Sequence, residues 1–305
     1  MSDKPRFGKR GLGLSLISGL ILLLLLAVIG LNFKASSPDL ENRVLNSVKE
    51  RDALSRMRVN LLKSVDIEKA AVMADTDELS RSLAEESLKA AQAVERDRIE
   101  LRRLIEEDRI EREMALLHDF DTCWDELQKI DKVLLEFAVE NSNIKAANLS
   151  FTQGSLAINR FKQNLSALIE KSPTNQQIQR LASDALVAGF EIHYLHAPHI
   201  AAANDTEMNR IETEIAQLSG VVHSCLKEME GYVTEENQSF LHGAVFAFRD
   251  FESVTSEVLR LSRQNTNLKS FELSLGRKRK ITAQCDDTLT SLSESIRSRT
   301  FEATR

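Results

Sequence analysis

Glycine and proline are scarce, 11 and 4 among 305 residues. So few chain breakers exclude a fold built on frequent tight turns and make long helices the expectation. Aromatic residues make up only 5%, while Ala, Leu, Glu, Ser and Arg dominate, which is the profile of helix bundles. A basic excess is also missing. The net charge is −6, and an acidic domain offers no face for counterion release, so no nucleic-acid partner is expected. The three cysteines, Cys123, Cys225 and Cys285, stand at no metal-ligand spacing and cannot all pair within one chain. They read first as small core residues; in an oxidising compartment Cys225 and Cys285 are candidates to meet as a pair. No Gly-rich phosphate loop, nucleophile elbow or zinc motif occurs, so neither an enzyme nor a cofactor is expected.

One long apolar run is present. From Gly11 to Phe33 the chain reads GLGLSLISGLILLLLLAVIGLNF without a charge, and at about 1.5 Å per residue it spans the roughly 30 Å hydrocarbon core. Residues 11–33 are therefore expected to form a transmembrane helix. Leu31, Asn32, Phe33 and Lys34 follow the apolar stretch in place of a small-residue cleavage site, which favours an uncleaved anchor. Lys4, Arg6, Lys9 and Arg10 precede it, and Asp39 and Glu41 follow. The positive-inside bias makes residues 1–10 a cytoplasmic tail of a single-pass inner-membrane protein whose C-terminal domain is periplasmic.

The rest reads as helices separated by breaks at Ser36-Ser37-Pro38, Asp75-Thr76-Asp77, Asn141-Ser142-Asn143, Ser172-Pro173-Thr174-Asn175, Asn204-Asp205-Thr206, Gly231 and Asn265-Thr266-Asn267. Around Trp124, apolar residues recur at Leu116, Leu117, Phe120, Leu127, Ile130, Leu134 and Phe137, the three-four spacing of one helix face. Glu95 to Glu113, ERDRIELRRLIEEDRIERE, reads as one exposed helix laced by i,i+4 ion pairs.

An internal repeat organises these helices. At an offset of 124, His118 falls on His242, Trp124 on Phe248, Leu127 on Phe251, Asn141 on Asn265, Asn143 on Asn267, Ser150 on Ser274, Leu165 on Leu289 and Leu168 on Leu292. Upstream the offset becomes 129, where Ala74 meets Ala203 and Arg81 meets Arg210, implying a length difference in the helix between. Each half holds about four helical segments, the number that a four-helix bundle needs to bury every apolar stripe. The expected architecture is all-α: the transmembrane helix, a first bundle module at 38–172 and a second at 173–305, tandem and stacked.

With its amino-terminal anchor, the first half containing HDFDTCWDELQKIDKVLLEF, the acidic turn ADTDE, the connection KSPTN, and the second half containing AANDTEMNR and FAFRDFESV, the chain resembles the helical bimodular sensory domain of bacterial methyl-accepting chemotaxis receptors. The resemblance covers about Pro38 to Arg305. It implies two stacked bundles, a homodimer, and a small ligand such as an organic acid, amino acid or amine held between helices. The final SRTFEATR resembles the run just before a second membrane helix, which favours a truncated receptor over the alternative of a chain that acts with a separate partner. Carboxylate-binding members hold their ligand with arginines; the matching stretch here, VDIEKAAVM, offers Lys69 instead.

Further candidates come from residue spacing. Arg277 and Arg279 lie in the densest basic run outside the amino-terminal tail and are candidates to hold an anion. His193, His196 and His199 recur every third residue, and with His223 and His242 they suggest metal or proton sensing, although Pro198 is placed to kink that helix and aim His199 elsewhere. The alternative function is a membrane-anchored helical scaffold that binds another protein through an exposed helix face.

Overall fold

The computed structural model describes residues 42–303. The tail 1–10 and the apolar segment 11–33 lie outside the described residues, among which no helix is long and apolar enough to cross a membrane. The described chain is all-helical and contains no strand. Helix α1 covers 42–72, followed by α2 (Asp77–Asp108), α3 (Glu111–Glu140), α4 (Ser142–Leu149), α5 (Ser155–Lys171), α6 (Gln176–Ala201), α7 (Asp205–Met229), α8 (Gln238–Gln264), α9 (Thr266–Leu273) and α10 (Arg279–Ala303). Between α4 and α5, and again between α9 and α10, the chain stays helical through a π turn, Ser150–Gly154 and Ser274–Lys278.

Most breaks fall where the polar residues put them. The Asn175 side chain accepts hydrogen bonds from the Gln177 and Ile178 amides, and Asn204 accepts one from Glu207, so both act as N-caps. One break carries no such mark. The stretch Glu95–Glu113 is not a continuous exposed helix, because α2 ends at Asp108 and Arg109 adopts a left-handed conformation with φ 53°. Nor is it wholly exposed: Leu101, Leu104, Ile105 and Glu113 are buried. A non-glycine residue is strained in this region. Arg109→Gly is therefore expected to stabilise the fold by about 1 kcal/mol in chemical denaturation.

The repeat is written into the backbone. Asn141 and Asn265 both sit in the left-handed region, at φ 50° and 54°, and the two π turns begin at Ser150 and Ser274, again 124 residues apart. Trp124 and Phe248, Leu127 and Phe251, Leu165 and Leu289, and Leu168 and Leu292 are buried in both copies. Upstream the copies differ in length: α7 has 25 residues against 32 in α2 and α8 has 27 against 30 in α3, while the connection before α8 is the longer, 230–237 against 109–110.

Packing does not follow chain order. The described residues form two compact units, one from residues up to Leu61, Gln92–Thr122 and Cys285 onward, the other from Leu62–Ala91 and Cys123–Gln284. In the first, α10 lies beside α1 and α3: Arg58 pairs with Asp286 at 2.6 Å, and Arg299 reaches Glu50 and Glu113. In the second, Phe161, Leu165 and Leu168 of α5 share one core with Ile192 of α6, Ile211 of α7 and Phe248 of α8. The fourth helix of each repeat thus packs with the three helices of the other. The ranges 38–172 and 173–305 and these packing groups are different partitions of the chain.

The exchange is fixed where α4 and α9 begin. The Ser142 amide donates to Thr266 Oγ1 (3.0 Å) and the Thr266 amide to Ser142 Oγ (3.1 Å). One residue on, the Asn143 amide donates to Asn267 Oδ1 (3.1 Å) and the Asn267 amide to Asn143 Oδ1 (3.3 Å). The first amides of a helix lack intrahelical partners, and here each helix caps the other. Thr266→Ala is expected to cost about 1–2 kcal/mol in chemical denaturation, because it strips a buried amide of its acceptor. Ser142→Ala on top of it should cost nearly as much again, since the amide at 266 then loses its own acceptor, Ser142 Oγ.

Candidate functional site

Three places in the described residues carry chemistry. The first is a groove of about 510 Å³ in the unit built from α1 and α10, lined by Arg51, Asp52, Ser55 and Arg58 over Leu54 and Leu289. Its size falls within the range of small-molecule sites, and an apolar floor with a few polar groups is their usual make-up. Arg58 meets Asp286 through two parallel hydrogen bonds, 2.6 and 2.9 Å. Sequence reasoning looked for arginine in the later stretch of α1 and missed both of these, which lie two and four turns earlier on the same helix.

The second place is the π turn before α10. Lys278 is 1% exposed and its Nζ lies 2.9 Å from Glu68 Oε2 and 2.5 Å from Asp131 Oδ1. Burial pushes the Asp131 carboxyl above the usual carboxylate range; Lys278 opposes this and Glu68 adds to it.

The equivalent π turn before α5 holds a different polar set. His196 is buried, with Nδ1 2.8 Å from Ser150 Oγ and Nε2 3.1 Å from Thr255 Oγ1. Ser150 corresponds to Ser274, Thr255 to Asp131, and Gly154 to Lys278 at the repeat offset of 124. With no side chain at 154, the His193 ring lies against the turn: a Cβ there would stand 3.6 Å from its Cδ2 and Nε2. Burial, followed by the neighbouring His193 and His199, lowers the His196 pKa to about 4, so the ring is neutral at neutral pH. π turns recur at functional positions in helices, and this protein has one polar cluster at each.

No family model, curated protein or solved structure matches the chain. The site residues therefore stand on geometry alone.

The residues named from the sequence are placed as follows. Lys69 is exposed and 3.8 Å from Asp66. Arg277 is exposed, pairs with Glu126 at 2.7 Å, and lines a second groove of about 460 Å³ with Phe137, Lys269 and Glu272. Arg279 is exposed at the start of α10. The inward member of the basic run is Lys278, not Arg277 or Arg279, and it faces carboxylates rather than an anion, because the π turn lays Ser274 and Lys278 on the buried face. His193 and His196 do come together, with ring centroids 5.4 Å apart. Pro198 does not redirect His199: the helix runs on to Ala201, and His199 is buried, its Nδ1 2.8 Å from Ser262 Oγ and its Nε2 2.9 Å from Glu212 Oε1. His223 is exposed with Nε2 2.9 Å from Glu252 Oε1, and His242 is exposed on α8. Neither joins His193 and His196, and no group of three or more His, Cys, Asp or Glu among the described residues has the geometry to hold a metal.

All three cysteines are buried, as small core residues would be, but the pairing differs from the Cys225–Cys285 candidate. Cys123 and Cys285 are disulfide-bonded, while Cys225 is free and buried. Cys225 belongs to the core of α5–α8, whereas Cys285 opens the α10 segment of the other unit. Burial raises the Cys225 thiol pKa, which makes it inert.

Proposed function

We propose that this chain is the extracytoplasmic sensory part of a chemoreceptor-like signal transducer and binds a small solute between helices. The observation that carries this reading is the groove between α1 and α10, where Arg51 lines an apolar floor of Leu54 and Leu289 beside the Arg58–Asp286 pair. The Arg51 guanidinium suits the carboxylate of an organic acid or amino acid, whereas Arg58 is already held by Asp286 and Asp52 by Arg56. The disulfide-bonded Cys123 and Cys285 fit an oxidising, periplasmic compartment. With the apolar run 11–33 as a single-pass anchor in the inner membrane, the groove then faces the periplasm. Leu45, Val48 and Val59 are exposed on α1 at spacings that put them on one helix face, and this stripe supports a homodimer packed helix against helix. Binding transmits by shifting the population of two packing states, as small helix displacements do in other bundles.

A thermal-shift screen of the full chain in mild detergent, against organic acids, amino acids and amines, tests the reading. A ligand that binds the native state raises the melting temperature, and Arg51→Ala should abolish that shift. The scaffold reading draws on exposed Val187, Phe190 and Tyr194 on α6. It is preferred if no solute stabilises the chain while a protein partner engages that face.

A further inference from the structure

The Glu68–Lys278–Asp131 cluster is unbalanced. Two carboxylates and one ammonium leave a charge of −1, with the three side chains 0%, 1% and 9% exposed. Buried charge of one sign is costly unless it is compensated. The surrounding elements do not compensate it. Helix α1 contributes Glu68, α3 contributes Asp131 and the π turn contributes Lys278; the inward face of α2 over this stretch holds Ala84, Ser87 and Ala90, none of them ionisable. Arg277 points outward and is taken by Glu126.

A second observation points to a missing partner. Glu68 Oε1, Ser274 Oγ and Thr282 Oγ1 are buried without a hydrogen-bond partner, whereas buried polar atoms are ordinarily satisfied. The charge is not a requirement of the backbone. At the matching π turn, Thr255 stands for Asp131 and Gly154 for Lys278, and the polar groups of that cluster are neutral and paired.

We propose that this cluster is a proton-binding site in which Asp131 takes up one proton as the medium acidifies, bringing the buried charge from −1 to zero. Asp131 is assigned as the acceptor because burial and the facing Glu68 carboxylate both disfavour its charged form, and the 9% of its side chain left exposed gives the proton a way in. The proton comes from bulk water by that route and leaves a neutral carboxylic acid beside a single Lys278–Glu68 pair. Burial and the like charge of Glu68 act in the same direction, holding the proton on Asp131 above the usual carboxylate range.

Infrared difference spectra of the full chain, taken from neutral pH down to about pH 4, the ordinary carboxylate range, test the site directly. Acidification is expected to produce the carbonyl band of a protonated carboxyl that Asp131→Asn removes. Asp131→Asn mimics the neutral form, so its Tm at neutral pH should exceed that of the unmodified protein by roughly 2–4 °C, the gap closing in acid. Glu68→Gln serves as a second variant should Asp131→Asn fail to fold: without the like charge, the band should require more acid to appear. The proposal is overturned if the band survives in Asp131→Asn, if Glu68→Gln leaves its pH unchanged, or if sodium or potassium at fixed pH reproduces the stabilisation while the pH profiles of Asp131→Asn and the unmodified protein run parallel.

Discussion

Replacing Lys278 by Met should lower the unfolding free energy by about 3–5 kcal/mol at neutral pH. The substitution removes the ammonium and leaves Glu68 and Asp131 facing each other in a dry interior. Breaking a buried ion pair on one side costs more than the pair itself contributes, because the remaining charge loses its compensation. Urea unfolding of the single variant measures the loss, and adding Glu68→Gln and Asp131→Asn to Lys278→Met should recover most of it. Arg277→Ala, next in sequence, is expected to change stability by less than about 0.5 kcal/mol, since its pair with Glu126 is exposed to water. If the two variants lose equal stability, the buried placement of Lys278 is wrong.

That contrast shows what the sequence could reveal. The run Arg277–Lys280 was visible as a basic patch, but which of four consecutive cations turns inward depends on a π turn that adds a residue to one helical cycle. Charge density marks the run but carries no helical phase, so it points to Arg277 and Arg279 as readily as to the buried cation between them. The repeat, by contrast, was legible residue by residue, because core positions and the left-handed asparagines are chemical requirements that duplicate with the chain. The exchange of fourth helices was not legible. Sequence order places α5 with α1–α3, whereas the core that it shares with α6–α8 and the reciprocal caps of Ser142 with Thr266 and Asn143 with Asn267 hold it on the other side. The break at Arg109 escaped because nothing in EEDRIERE resembles a turn. Among the candidate sites, the i,i+3 spacing of His193 and His196 was read correctly as adjacency, while His223 and His242 carried no spacing signal that could join them to the pair.

Acid should act on the two π-turn clusters in opposite directions, and His196 supplies the larger effect. Its ring is neutral in the fold, with a pKa lowered to about 4 by burial and by His193 and His199, against an ordinary value near 6.5 in the unfolded chain. A depressed histidine pKa means that the unfolded state binds the proton more readily. The associated stability is therefore fully present above about pH 6.5 and is lost as pH falls toward 4, to a total of about 3 kcal/mol. Protonation would also force the ring to donate from both nitrogens, so Ser150 Oγ and Thr255 Oγ1 would both have to act as acceptors. Asp131 runs the other way: its raised pKa gives stability that is complete in acid and fades as pH rises through its folded value. The two slopes oppose each other in any global measurement, so the histidine contribution is best read in the Asp131→Asn background. There, chemical denaturation from about pH 7 to pH 4 should show the full loss, and His196→Gln should abolish it. Hydrogen exchange locates the same effect: acid should loosen α6 and α8 around His196 while amides flanking Asp131 in α3 of the otherwise unmodified protein hold or gain protection.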